Sequence, residues 1–187
     1  KALAWMDDPF KAVGYSNTQA AAAVTRYLIE RVYRPIGYIG AWPRNNDRAR
    51  DRRRGFAAAC RKAGVAVDDA LCIETDLALD AGVQAMATLI ERRPDVRAVF
   101  CSADTLAVGA IFECHRRGLR IPADIAIAGF DDLDIAAQIV PPLTTLRVPR
   151  YELGRRAGEM ICERLAGRPV AEPVADVGYA LVPRASA

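Results

Sequence analysis

The stretch VRAVFCSADTLAVGAIFECHRRG at residues 96–118, followed by DIAIAGFDD at 124–132, decides the fold. VRAVFC follows the helix-stopping Pro94 and has the length and composition of a strand buried on both faces. Asp104 then begins a helix in which Leu106, Ala107, Ala110, Ile111 and Cys114 make one apolar stripe, and Gly118 suits the position just past its C-terminus. DIAIAGFDD is a second apolar strand that ends in two carboxylates. Strand, helix, strand in this order is the unit of a parallel sheet, because parallel neighbours need a crossover long enough to hold a helix.

The unit repeats in both directions. Upstream, residues 2–5 and 12–15 read as short extended segments around a turn at Asp7, Asp8 and Pro9. Ser16 with Gln19 three residues later matches a capping box, and Ala20, Val24, Tyr27, Leu28 and Arg31 recur at helical spacing, so a helix is predicted over 17–31. Pro35 forces an exit, and IGYIG at 36–40 is the next strand. The WPRNND loop leads to a helix over about 46–62, then Gly64 and a strand, VDDALCI, over 67–73. Asp76 is placed to cap a helix over 78–92 carrying Val83, Met86, Leu89 and Ile90. Downstream, a short helix over 132–138, a crossover strand LTTLRV at 143–148, a helix over 151–165 and a last strand at 174–182 complete the chain. The rhythm predicts an α/β protein with helices on both faces of a parallel sheet.

Composition narrows the function. The chain has 187 residues, 52% of them hydrophobic, enough for one sizeable core. With 26 Lys and Arg against 23 Asp and Glu, the net charge of +3 gives no dominant nucleic-acid surface. Lysine is confined to Lys1, Lys11 and Lys62, so the cationic side is arginine, whose planar fork suits carboxylates, phosphates and polyols. No apolar run long enough to span a bilayer occurs, and no membrane partner is expected. Cys60, Cys72, Cys101, Cys114 and Cys162 have no CxxC spacing and read as reduced, small apolar residues of an intracellular protein. His115 is the single histidine, and neither a metal site nor a cofactor is expected. The chain holds no P-loop, GxGxxG, GxSxG or HExxH motif, so catalysis is not expected.

Ligands of parallel α/β sheets gather beyond the strand C-termini. Those ends place Trp42, Arg44, Asp76, Ser102 to Asp104, Asp131 and Asp132 as candidates. One carboxylate of the Asp131–Asp132 pair can reach a ligand and read two hydroxyls, while the other caps the next helix. Asp104 can do the same or only cap. Arg52 shares a helical face with Arg48, and that face can look into the crevice. Trp5 and Trp42, in loops beside strand ends, offer flat surfaces to a sugar ring.

Taken together, RPIGYIG (34–40), RRRGF (52–56), VRAVFCSADTLAVGAI (96–111), GLRIPADIAIAGFDD (118–132) and PPLTTLRVP (141–149) resemble the ligand-sensing region of the lactose/galactose-repressor family. The likeness runs along essentially the whole chain, is densest from Pro94 to Pro149, and is nearest to the gluconate-utilisation repressors. The resemblance implies a sensor like a periplasmic sugar-binding protein, closing on a small molecule between two lobes. It implies a C-terminal lobe of residues 16–147 and 176–187, with 1–15 and 148–175 as the remnant of an incomplete N-terminal lobe. It further implies a cytoplasmic repressor, a homodimer partner, and operator DNA met by a helix-turn-helix headpiece that this chain, opening within KALAWM, does not carry. Arg52 matches the family's ligand-binding arginine and Asp131 its ligand-binding aspartate. Ala103 stands where an asparagine is usual, which removes one polar contact. Arg150 stands where relatives often place a ring-stacking aromatic, and an arginine there favours a sugar acid or phosphorylated sugar. Leu77 falls near another stacking position. The competing readings are a solute-binding protein of a sugar transporter and a small enzyme acting on a sugar phosphate.

Overall fold

The computed structural model describes residues 12–169 and 174–187; Trp5, the strand expected over 2–5 and the turn at Asp7 to Pro9 lie outside them. Strand β1 (Ala12–Gly14) leads to α1 (Asn17–Glu30), β2 (Ile36–Ala41), α2 (Asp47–Lys62), β3 (Cys72–Thr75), α3 (Leu79–Arg92), β4 (Ala98–Cys101), α4 (Asp104–Arg116) and β5 (Ala126–Ala128). Then come α5 (Asp134–Gln138), β6 (Thr145–Arg147), α6 (Arg150–Leu165), β7 (Val174–Asp176) and β8 (Ala180–Val182).

β3, β2, β4 and β5 lie side by side in that order, all parallel. Ile36 faces Ala98 and Ala98 faces Ala126, so β2, β4 and β5 start level and end on one edge. The period of two sorts side chains between the faces. In β4, Ala98 and Phe100 point to one layer, where Val24 and Leu28 of α1 and Phe56 of α2 pack with Tyr38 and Phe130. Val99 and Cys101 point to the other, against Met86 and Leu89 of α3 and Leu106 and Ile111 of α4. Helices on both faces of a parallel α/β sheet are therefore what the chain builds.

Local signals set the helix starts. The Ser16 hydroxyl accepts from the Gln19 amide at 3.2 Å, and the Asn46 side chain accepts from the Ala49 amide at 3.1 Å. Where helices touch most closely the chain uses glycine: a Cβ at Gly55 would stand 2.2 Å from the Thr18 carbonyl oxygen of α1. A Cβ at Gly109 of α4 would meet the Leu79 carbonyl oxygen of α3 at the same distance, 2.2 Å.

Several expectations are corrected. The segment expected as a strand over 67–73 holds a 3₁₀ turn at Asp69–Leu71, begun by the Asp68 side chain accepting from the Ala70 amide, and the strand itself is β3. Asp76 does not cap α3; the cap position is Ala78, which offers no side-chain acceptor, and only the Asp76 carbonyl bonds back to the Ala78 amide. The expected last strand over 174–182 is two strands. The Asp176 carboxylate accepts from the Gly178 amide at 2.9 Å, and Gly178 takes φ 67°, so the chain turns between them. β7 pairs in parallel with β1, on which α6 packs, whereas β8 runs antiparallel to β6. The crossover strand at 143–148 extends the main sheet, because the Gly129 and Asp131 amides donate to the Thr144 and Leu146 carbonyls, each at 2.8 Å.

Candidate functional site

The level C-terminal edge collects the candidate residues in strand order. Leu77 follows β3, Trp42 follows β2, Ser102 follows β4 and Asp131 follows the β5 segment. Trp42 is 52% exposed and Leu77 61%, so both offer apolar surface at this edge; the Trp42 amide donates to the Thr75 carbonyl, tying the two loops.

Arg52 is the best-anchored group on that edge. It lies in the second turn of α2, and its guanidinium is held on every side. Nε donates to Asn17 Oδ1 at 2.9 Å, one terminal nitrogen to the Ser102 carbonyl at 2.6 Å, and the other to the Tyr15 hydroxyl at 3.2 Å. The Phe130 ring lies under it, with the guanidinium carbon 3.7 Å from the ring centroid. So fixed, it reaches Asp131 at 3.5 Å. Burial pushes the Asp131 carboxyl above the ordinary aspartate range, with Arg52, Arg150 and Arg48 opposing that shift. Arg48, one helical turn before Arg52 and exposed, thus carries its charge to the same place. The edge presents one partly buried carboxylate ringed by three guanidinium groups. Such a set can accept hydroxyl hydrogens on one side and bind an anion on the other.

Asp132 does not cap the helix after it; Leu133 occupies that position without a side-chain bond. Its carboxylate is taken by Arg147 Nε at 2.6 Å and by Arg184 at 2.7 Å. Burial acts to raise its pKa, but these two arginines prevail and hold it below the usual aspartate range. Both residues of the pair have positive φ, 117° at Asp131 and 52° at Asp132.

Asp104 is fully buried and does not open onto the edge. One carboxylate oxygen accepts the Thr145 hydroxyl at 2.5 Å and the other the Leu133 amide at 2.7 Å, so it latches the loop after Asp132 to β6. Nor does it cap its own helix, whose cap position is Ala103. Burial pushes its carboxyl upward. Arg150 is exposed and spends its donors on backbone: the Asp131 carbonyl at 2.7 Å and the Asp132 carbonyl at 3.3 Å. Sequence reasoning missed Tyr15, Asn17 and Phe130 as the cradle of Arg52. The Asn directly after the capping Ser16 was the one available signal, since an N1 side chain stands free of the helix it begins. Among the described residues, no group of three or more His, Cys, Asp or Glu side chains gathers to hold a metal ion, and no helix is long and apolar enough to cross a membrane.

A parallel sheet clad on both faces, with a charged edge beyond its strand ends, has the place where small-molecule ligands of α/β proteins gather. The family model described as a periplasmic binding protein-like domain matches residues 25–187, and the chain belongs to that family. Within it, its relatives identify the chain with the effector-binding region of the lactose/galactose-repressor regulators. The HTH-type transcriptional repressor CytR of Escherichia coli (strain K12) is 36% identical over 158 residues, 84% of this chain and 46% of that protein. The solved transcription regulator GntR from Chromobacterium violaceum is 36% identical with a TM-score of 0.91, covering 96% of this chain and 66% of that one. The transcriptional regulator CelR–cellobiose complex is 30% identical with a TM-score of 0.89, covering 95% of this chain and 54% of that one. The chain spans about half the length of the curated relatives it matches.

Proposed function

We propose that this chain is the effector-sensing part of a cytoplasmic, DNA-binding transcriptional repressor, and that its effector is a sugar acid of the gluconate class. The observation that carries the reading is Arg52, locked by Asn17, Tyr15, Ser102 and Phe130 and aimed at Asp131 on the open edge of the sheet. A carboxylate held this way reads hydroxyls, and the charges of Arg52 and the exposed Arg48 favour a ligand that also carries negative charge. Trp42 and Leu77 supply the apolar walls. Cellobiose in the CelR complex supports a carbohydrate as the general ligand class.

The division into lobes follows the same reading. β1, α6 and β7 gather on one another, while β8 returns to the main sheet through β6, which supports 16–147 and 176–187 as one lobe and 1–15 and 148–175 as part of the other. Operator DNA is met by a helix-turn-helix headpiece outside these residues, and the ligand shifts the population between closure angles. A homodimer partner fits the layer of α3, α4 and α5, whose outer side leaves Leu79, Phe112 and Ile135 exposed, with Val140 just beyond α5. The chain binds and does not turn over its ligand: Asp132, the second carboxylate that acid–base chemistry would need, is already consumed by Arg147 and Arg184. The transporter reading gains nothing from the relatives, which are regulators.

A thermal-shift screen of the intact protein against gluconate, 2-ketogluconate, 6-phosphogluconate and neutral hexoses tests this. Stabilisation by one of the acids, lost in Arg52→Ala and Asp131→Ala, is the expected result. A neutral hexose as sole stabiliser overturns the anionic ligand, and no stabiliser among all of them overturns the sugar-acid reading.

A further inference from the structure

The turn bearing Asp131 is held more firmly than ligand contact alone requires. Asp131 and Asp132 sit at φ 117° and 52°, conformations that strain a side-chain-bearing residue, and such a turn persists only where its surroundings fix it. Arg147 and Arg184 fix the Asp132 side chain. The Asp131 amide is held by the Leu146 carbonyl and the Leu133 amide by the Asp104 carboxylate, which leaves the two carbonyls of the turn. Arg150 is the side chain on those carbonyls, with one guanidinium nitrogen on the Asp131 carbonyl at 2.7 Å and another on the Asp132 carbonyl at 3.3 Å. The two carbonyls belong to consecutive peptide planes. With the Asp131 amide already held by the Leu146 carbonyl, holding the Asp131 carbonyl fixes both peptide planes that flank Asp131, and with these the direction in which its side chain leaves the chain; holding the Asp132 carbonyl fixes the strained torsions of Asp132 beside it. Arg150 is also the first residue of α6, the helix packed on β1 of the second small sheet.

We propose that Arg150 is a positioning residue: it aims the Asp131 carboxylate at the ligand edge by clamping both carbonyls of the turn, and it makes that aim depend on where α6 lies. Its role is thus to transmit, not to touch the ligand. Movement of α6 against the main sheet pulls on the Asp131–Asp132 carbonyls directly, and a ligand that draws Asp131 towards itself pulls on α6. An arginine is needed because its planar fork spans two acceptors at once; a lysine supplies the charge from a single point.

The effect on affinity rests on the sugar-acid reading above, whereas the backbone effect does not. The test therefore uses Arg150→Lys and Arg150→Gln with two readouts. Residue-resolved amide exchange on the ligand-free protein is expected to accelerate about tenfold or more in both variants at Asp131 and Leu133, whose amides are bonded to the Leu146 carbonyl and the Asp104 carboxylate, once the clamped carbonyls are released. Ala98 to Cys101 in the sheet centre should exchange as before, certifying the fold. In the intact protein, affinity for whichever sugar acid binds should fall about tenfold in both variants, the lysine giving no rescue. Unchanged exchange at the turn overturns the proposal, and unchanged exchange with weakened affinity makes Arg150 a direct ligand contact instead. If no sugar acid binds the parent protein, the sugar-acid reading fails while the exchange result still decides the clamp.

Discussion

Asp104 gives the sharpest test of how the ligand edge is built. It is fully buried, with the Thr145 hydroxyl on one oxygen at 2.5 Å and the Leu133 amide on the other at 2.7 Å. Asp104→Ala removes both acceptors and leaves a backbone N–H without its partner. Hydrogen bonds to a charged group contribute about 1.5–3 kcal/mol each, so the two together cost about 3–6 kcal/mol. For a chain of this size that lowers Tm by roughly 6–24 °C. Asp104→Asn should behave differently. Its amide oxygen can keep the Leu133 amide, and its NH₂ can donate to the Thr145 oxygen once that hydroxyl turns, so a loss of only about 1 kcal/mol is expected. The pH dependence separates the two further. Burial raises the Asp104 pKa in the folded state above its unfolded value, so the folded protein holds that proton more tightly. Its contribution to stability therefore grows as pH falls from the raised folded value towards the unfolded value near ~3.9, and Asp104→Asn abolishes this contribution. The assay is thermal unfolding by circular dichroism from neutral to mildly acidic pH. An alanine variant melting within about 2 °C of the parent would refute the latch. So would an asparagine variant as damaged as the alanine, which would show that the charge, not the pair of bonds, is what counts.

Two further outcomes follow from the packing and charge of the same lobe. Asp132→Asn should cost about 1–3 kcal/mol at neutral pH, because Arg147 and the largely buried Arg184 lose their shared counter-charge. Since the folded Asp132 pKa is depressed, the parent's advantage over the variant is present above the unfolded value and vanishes as pH falls through the folded one, which denaturant melts between acid and neutral pH will show. Gly55→Ala and Gly158→Ala, both inside helices, should have opposite signs. The first forces a methyl against the Thr18 carbonyl oxygen at 2.2 Å and costs about 1–3 kcal/mol. The second meets nothing within 4 Å and gains helix propensity, protecting α6 amides from exchange.

The order of helices and strands was legible because its signals are local. Ser16 with Gln19, the apolar run 96–101 after Pro94, and the apolar stripe from Leu106 to Cys114 each act over a few residues, and α1, β4 and α4 begin within a residue or two of where these signals put them. Arg52 and Asp131 on one edge were also legible, Asp131 because it follows an apolar strand of a parallel sheet and Arg52 because it stands early in the helix after β2 and matches the ligand-binding arginine of the family the sequence resembles. The failures came where a residue's partner is remote in sequence. Asp104 looked like a cap because an aspartate opening a helix usually serves that helix, yet its partners are Leu133 and Thr145. Asp132 looked like a cap for the same reason and instead bonds Arg147 and Arg184. In both cases a guanidinium or a buried backbone donor from the far side of the β5–β6 pairing outcompeted the local amides, because a charge-assisted bond away from water exceeds what an exposed helix terminus offers. The same rule explains why Arg150 read as a ligand group. Composition shows that an arginine is present at the edge, but whether its fork is spent on carbonyls or left for an anion is set by a turn whose positive φ values no periodicity reveals. On the proposed sugar-acid reading, the charge left for a ligand at this edge is that of Arg52 and the exposed Arg48. Replacing Arg48 with Ser should therefore weaken a sugar acid more than a neutral sugar in isothermal titration, by about tenfold for one lost charged contact, and equal losses for both would show that the edge does not sense ligand charge.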